Sequence, residues 1–256
     1  MTPLESVLRR HGLVGARVTP LGAGLDHTAV LVGDDLVLRF GSSVAFESRL
    51  LGFLAPRAPL PVPVPLFHDV REGCLAYRLL PGTPLLTAPV DRQQAVPALS
   101  RFLAWLHAQP APDLPRDDTP LHEWLTQARN EYDTVAGVIP ARHRRTVENF
   151  LRAEPPPDTP QRVLAHNDLG AEHILVDPAG TVTGIIDWSD AALADPAVDQ
   201  ARLLRDLGPA FDEPAREGRV LFLARCMMLE DLAYGVEAYI HNSLDALPRL
   251  FSPERR

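Results

Sequence analysis

A chain of 256 residues with 46% hydrophobic and 23% charged side chains has the make-up of a folded globular protein, long enough for one large domain or two lobes. Its formal charge of -8 argues against a nucleic-acid scaffold, whose footprint is basic. Two cysteines, Cys74 and Cys226, make neither a disulfide framework nor a metal-ligand pair and read as buried thiols in a reducing compartment.

The N-terminal "TPLESVLRRHG" predicts a short helix, with Thr2 as N-cap, Pro3 at the first position and Glu5 closing a capping box. Three β-rich pieces follow, with Gly33-Asp34-Asp35 as the tight turn between the last two. "SVAFESRLLGFLA" predicts a helix. Five prolines from Pro56 to Pro65 predict a stiff connector, and "LFHDV" and "CLAYRLL" two more strands. After Pro81 the periodicity becomes helical, through "DRQQAVPALSRFLAWLHAQ", "LHEWLTQARNEYDTVAGV" and "ARHRRTVENFLRAE". "ILVDPAGTVTGIID" predicts a β-hairpin, and the remainder is helical.

The expectation is an α+β chain in two parts: a β-rich lobe over residues 1–80 and a mainly helical lobe over 81–256. The N-terminus is too charged for a signal peptide. No run reaches the ~18 apolar residues of a membrane span, the nearest, "VLFLARCMMLEDLAYGV", being broken by charges. A cytoplasmic monomer without nucleic-acid or membrane partners is expected.

The chemistry concentrates in "HNDLGAEHILVD" and "GIIDWSD". Asp168 and His173 lie on the loop entering the hairpin's first strand, and Asp187 lies just beyond its second. Strand pairing should therefore bring Asp187 to the loop. Two carboxylates and an imidazole can orient a hydroxyl and hold a divalent cation, the two requirements of phosphoryl transfer. The same residues with His166 are compatible with a metal-dependent phosphoesterase, and a nucleotide-binding pseudokinase module is a further alternative. The phosphoesterase reading explains the histidines but not Arg39, Glu47 or the two-part order, and the intact Asp168 and Asp187 argue against the pseudokinase.

The stretch "HNDLGAEHILVD…GIIDWSDAALADPAVDQA" resembles the aminoglycoside phosphotransferase family, small-molecule kinases with a bilobal protein-kinase-like fold. The resemblance implies an O-phosphotransferase that uses ATP or GTP with Mg²⁺ and acts on a small hydroxylated molecule, most naturally an aminoglycoside or other antibiotic. It implies Asp168 as catalytic aspartate, Asp187 as metal ligand, and His166 and Asp199 as supports of the catalytic loop. His173 stands where the family usually has a metal-binding asparagine, which favours Mn²⁺ as an alternative ion. Asn167 replaces the usual glycine. Arg39 takes the place of the phosphate-binding lysine, held by Glu47. Gly22 and Gly24 belong to a turn over the phosphates, and the backbone from Tyr77 to Leu79 forms the base-binding hinge. Asp190, Glu230, Asp231 and Glu237 are candidate acceptor contacts, with Asp206 also following the metal aspartate. Trp124, Tyr132 and Tyr234 read as core residues.

Overall fold

In the computed structural model the described residues are 1–23, 27–110, 113–212 and 218–252. Helix α1 (Pro3–Arg10) starts as its sequence requires: Thr2 accepts from the Glu5 N–H and Glu5 returns the bond to the Thr2 backbone. A five-stranded antiparallel sheet follows, in spatial order β1 (Val18–Ala23), β2 (Thr28–Val32), β3 (Leu36–Phe40), β5 (Cys74–Arg78), β4 (Pro65–Asp69). Helix α2 (Val44–Leu54) is inserted between β3 and β4.

Side chains alternate across this sheet. Leu38, Cys74 and Ala76 share one buried cluster with Val7 of α1. Val37, Leu75 and Tyr77 face the other way and join the large core that runs through Leu51 and Leu54 of α2 into the helical part. A one-residue slip of register would exchange the two sets, so the packing on both faces fixes the pairing of β3 with β5.

The helical part comprises α3 (Val96–His107), α4 (Leu121–Val135), α5 (Ala141–Arg152), α6 (Ala197–Leu207), α7 (Arg219–Tyr234) and α8 (Glu237–Leu250). Helix α7 is its axis, buried along most of its length and packed on α4, α6 and α8. Two small sheets are set into this part. One pairs β7 (Val163–Ala165) with β10 (Ala192–Ala194). The other has the order β6 (Thr83–Pro84), β8 (Ile174–Val176), β9 (Val182–Ile185). The β8–β9 turn is tied by Asp177, whose carboxylate accepts from the N–H groups of Ala179 and Thr181. Among the described residues no helix is long and apolar enough to cross a membrane.

Candidate active site

The β8–β9 hairpin builds the centre of the site. Ile174 pairs with Ile185, and the Ile186 N–H donates to the His173 carbonyl. Asp187, one residue further, thus reaches the loop of residues 166–173, and its Oδ2 lies 3.7 Å from His173 Nε2. Both Asn167 (φ 69°) and Asp187 (φ 62°) are left-handed. That conformation suits glycine and, next best, Asn and Asp. It gives a backbone reason for the glycine usual at position 167, and for asparagine as its substitute.

The loop is held from below. Asp199 of α6 is fully buried and accepts from the N–H groups of His166 (3.1 Å) and Asn167 (2.8 Å), with His107 Nε2 at 3.0 Å. Burial acts to raise its carboxyl, but the bonds from His107 and Asn167 and the nearby His166 hold it below the usual carboxylate range. His166 is equally buried. Its Nε2 meets the Ile186 carbonyl at 3.0 Å, its Nδ1 accepts from the Asp168 N–H at 3.3 Å, and its ring lies 4.6 Å from that of Trp188. With Nδ1 accepting, Nε2 carries the proton, so the ring is a neutral brace between loop and hairpin. Burial pushes its pKa down accordingly, against the opposing pull of Asp199.

Asp168 projects from this braced loop. Burial would raise its carboxyl, but Arg202, His173 and His166 outweigh that and keep it ionised below the usual range. His173 Nδ1 is 2.7 Å from the Asp168 carbonyl, so Nδ1 donates, and the other ring nitrogen, Nε2, faces Asp187. Burial works against charge on His173, yet Asp168, Glu172 and Asp187 raise its pKa overall.

On the sheet side, Arg39 is buried (4% exposed) and forks between two carboxylates, Glu47 Oε2 at 2.6 Å and Asp187 Oδ1 at 2.5 Å. Burial pushes Glu47 up to about 7, opposed by Arg39 and reinforced by Asp187. All 25 cationic side chains of the chain are arginine, so an arginine in this position reflects the chain's composition as well as its chemistry. Two cavities meet at this point. A cavity of about 500 Å³ beneath the sheet is lined by Val37, Arg39, Tyr77, Leu79 and Leu175. A second, of about 380 Å³, lies among α4, α6, α7 and the loop, and carries Asp168, Asp190, Arg202, Glu230 and Asp231. His27, Glu172, His173, Asp187 and Tyr239 line both.

The remaining expected residues divide clearly. Tyr77 is buried and lines the first cavity. The N–H of Leu79 is taken by the Asp35 carbonyl at 2.7 Å, so a base lodged there would have to use other groups. Gly22 lies in β1, and Gly24 lies outside the described residues. Asp231 is 3.0 Å from Arg205 and, pushed up by burial to about 7, is only partly ionised at neutral pH. Glu237 is exposed at the start of α8 and does not line either cavity. Asp206 is buried under the loop, where it accepts from the Ala171 N–H at 2.7 Å and pairs with Arg205 at 2.6 Å. It braces the loop and does not face the cavity.

Sequence reading took Trp124, Tyr132 and Tyr234 for core; Trp124 and Tyr132 do pack against the core, Trp124 also lines the second cavity, and Tyr234 is exposed and lines that cavity. It did not single out His27, Asp117, Glu172, Arg202 or Tyr239. Glu172 and Arg202 were detectable in principle, since Glu172 lies inside the loop motif and Arg202 falls one helical turn after Asp199. His27, Asp117 and Tyr239 come from segments far apart in sequence and carry no local signal.

A sheet carrying a buried arginine, packed beside a helical part that presents two aspartates to it, defines a small-molecule phosphotransferase of protein-kinase-like fold. The phosphotransferase enzyme family matches residues 17–225, and the chain belongs to it. Viomycin phosphotransferase of Streptomyces vinaceus is 26% identical over 216 residues, 76% of this chain and 74% of that one. A stretch of 36 residues, 14% of this chain, is 56% identical to the uncharacterized protein YcbJ of Bacillus subtilis (strain 168), 12% of whose length it spans. Among solved structures, the GDP and kanamycin complex of APH(2")-IIIa superposes with a TM-score of 0.69 at 22% identity, over 96% of this chain and 97% of the other. The likeness at that identity is one of fold. The phosphoesterase and pseudokinase readings fall away with the family: the chain is an enzyme that moves a phosphoryl group to a small molecule.

Proposed function

We propose that this enzyme transfers the terminal phosphoryl group of ATP or GTP to a hydroxyl of a cationic antibiotic, an aminoglycoside or another antibiotic, in keeping with a relative named as a viomycin phosphotransferase. The observation that carries the reading is the junction of the two cavities. Arg39 sits on one side, Asp168 on the other, and Asp187 and His173 are the wall they share. In this reading residues 1–80 hold the nucleotide and 81–256 hold the acceptor.

Each side chain then has a task. Tyr77 and the Leu79 edge receive the base, and Arg39, held by Glu47, meets phosphate oxygens. Asp168 accepts a hydrogen bond from the acceptor hydroxyl and takes its proton as the new P–O bond forms and the bond to the nucleotide's bridging oxygen breaks. One guanidinium against Glu47 and Asp187 leaves that corner net negative. Donor atoms of Asp168, Glu172 and His173 lie within 4.8 Å of one another, and Asp187 Oδ2, outside that group, lies 3.7 Å from His173 Nε2, so these donors together fit a divalent cation. His173 Nε2 and Asp187 Oδ2 are the atoms that would hold it, and it would neutralise charge on the transferring phosphates. Asp190 and Glu230 face the second cavity and receive ammonium groups. A cytoplasmic monomer completes the reading.

The test is an acceptor panel with ATP and GTP in separate arms and Mg²⁺ or Mn²⁺ in each, scored by the mass gain of one phosphoryl group. Turnover of cationic compounds supports the reading. Turnover confined to uncharged acceptors removes the antibiotic-cation part and leaves the phosphotransferase.

A further inference from the structure

Helix α6 meets the catalytic loop at three points along one face, residues 199, 202 and 206, a spacing of three and then four that stacks side chains on a single stripe. Asp199 holds the backbone at His166 and Asn167, and Asp206 holds it at Ala171. Between them, Arg202 touches the reacting side chain itself: its Nη2 is 3.0 Å from Asp168 Oδ1. From His166 to His173 the loop contains no lysine or arginine. Arg202 is the single arginine lining the second cavity among the described residues, where every other ionisable wall residue is acidic, histidine or tyrosine.

We propose that Arg202 is a positioning residue for the transfer step. It fixes the Asp168 carboxylate by one oxygen so that the other is presented to the acceptor hydroxyl. The idea rests on the phosphotransferase reading of Asp168 and assigns to α6 a chemical task besides its structural one.

The surroundings fit this role better than that of a plain structural ion pair. Arg202 is nearly buried, its side chain 12% exposed against 27% for Asp168, so water competes little for the contact. Its Nε is buried without a hydrogen-bond partner. Arg205 also has an unpartnered guanidinium nitrogen, Nη1, but its close contacts are Asp206 and Asp231, whereas Asp168 itself is the close contact of Arg202. What orders it is the carboxylate it orders in turn, with Glu172 and Glu230 supplying the wider negative field. His173 lies on the other side of the same carboxylate, its Nδ1 3.4 Å from Asp168 Oδ2. Asp168 is thereby gripped at Oδ1, and its Oδ2 is left in the second cavity beside the imidazole of His173, which lines both cavities.

The experiment compares Arg202→Met, Arg202→Lys and Arg202→Ala in the full chain, reading acceptor phosphorylation and acceptor-free nucleotide hydrolysis side by side, with thermal melts as a check on folding. Arg202→Met should lower kcat for phosphorylation about 10- to 100-fold, the scale of a misplaced catalytic group. Nucleotide KM should stay within about twofold and acceptor-free hydrolysis should fall far less. Arg202→Lys should retain an intermediate rate. Guanidinium added below denaturing concentration should raise the kcat of Arg202→Ala and leave that of the wild type unchanged. A folded Arg202→Met with wild-type kcat overturns the proposal. So does an equal loss of hydrolysis and transfer, or the absence of guanidinium rescue in a folded Arg202→Ala. If the wild type itself phosphorylates no acceptor, the functional reading fails and the proposal falls with it. Loss confined to the variants fails neither.

Discussion

The two cavities that meet at Asp187 are built on opposite electrostatic plans. On the sheet side one buried guanidinium is shared between Glu47 and Asp187 at 2.6 and 2.5 Å, so that each carboxylate is balanced by a cationic partner. On the helical side carboxylates outnumber cations, and several polar atoms near or on the wall, Asn167 Oδ1, Glu172 Oε2 and Glu230 Oε2, have no hydrogen-bond partner. Buried polar atoms are ordinarily paired, since an unpaired one costs about 1–3 kcal/mol. The closed arrangement suits a ligand of constant chemistry, a nucleotide. The open one suits a ligand that brings its own donors. The comparison predicts that substitutions on the shared wall cost most, those on the balanced side disturb nucleotide, and those on the open side disturb only the acceptor.

The largest effect is expected at the wall. Asp187→Asn removes the charge that Arg39 and His173 both face and should reduce turnover about 10³-fold or more, measured by nucleotide consumption in the presence of acceptor. Glu47 is a weaker lever on the same corner, because its carboxyl, at about 7, already carries a fraction of a proton at neutral pH. Next comes Asp168→Ala. Its kcat should fall about 10² or more, the scale of general-base loss, with nucleotide KM little changed. A rise in nucleotide KM as large as the fall in kcat would mean that the two cavities are not separate in function.

A smaller, graded effect should distinguish cavity carboxylates from surface ones. Glu230 lines the second cavity and Glu237 does not. Exposed ion pairs are worth about 0–1 kcal/mol, and less in salt. Glu230→Gln should raise the KM of a cationic acceptor about three- to tenfold without changing that of the nucleotide, and Glu237→Gln should change neither. Equal effects at the two positions would show that the attraction is that of the whole acidic surface.

These differences follow from what a sequence can carry. The loop and hairpin were legible because their residues are neighbours in the chain, and a period of two fixes which end of β9 meets the loop. The pairing of Arg39 with Glu47 was legible for a similar reason, eight residues apart on consecutive elements. The acidic wall of the second cavity was legible only in sign. Glu230, Asp231 and Glu237 lie within eight residues, yet the break at Gly235 between α7 and α8 sends Glu237 to the surface and leaves Asp231 against Arg205. Trp124 and Tyr234 look like core by type, since an aromatic on a helix has the same pattern whether its neighbour is a side chain or a cavity. Arg202 was marked only by its place one helical turn after Asp199: its role depends on α6 lying under a loop some thirty residues earlier in the chain.

The mildest test of the comparison is the pH dependence of stability, through Glu131 on α4. Burial, strengthened by the charge of Glu230 and opposed by a hydrogen bond from Gln127, pushes the Glu131 carboxyl up to about 7 from the ordinary 4.5. The native state therefore binds this proton more tightly than the unfolded chain does. The stabilising contribution is present in full below about pH 4.5 and is lost as pH rises through about 7. Asp168, Asp187, Asp199 and Asp206, all held low, contribute with the opposite sign, and they do so equally in the wild type and in a Glu131 variant. Glu131→Gln keeps the shape and removes the titration. Its melting temperature should therefore exceed that of the wild type at pH 8 by up to about 2 °C, since partial exposure screens much of the shift, and the gap should close by pH 5. The same substitution in a Glu230→Gln background should gain less, because part of the penalty on Glu131 comes from Glu230. A gap that does not change with pH would mean that the negative charge of the helical side is fully relieved by solvent, and the contrast between the two cavities would then be one of shape alone.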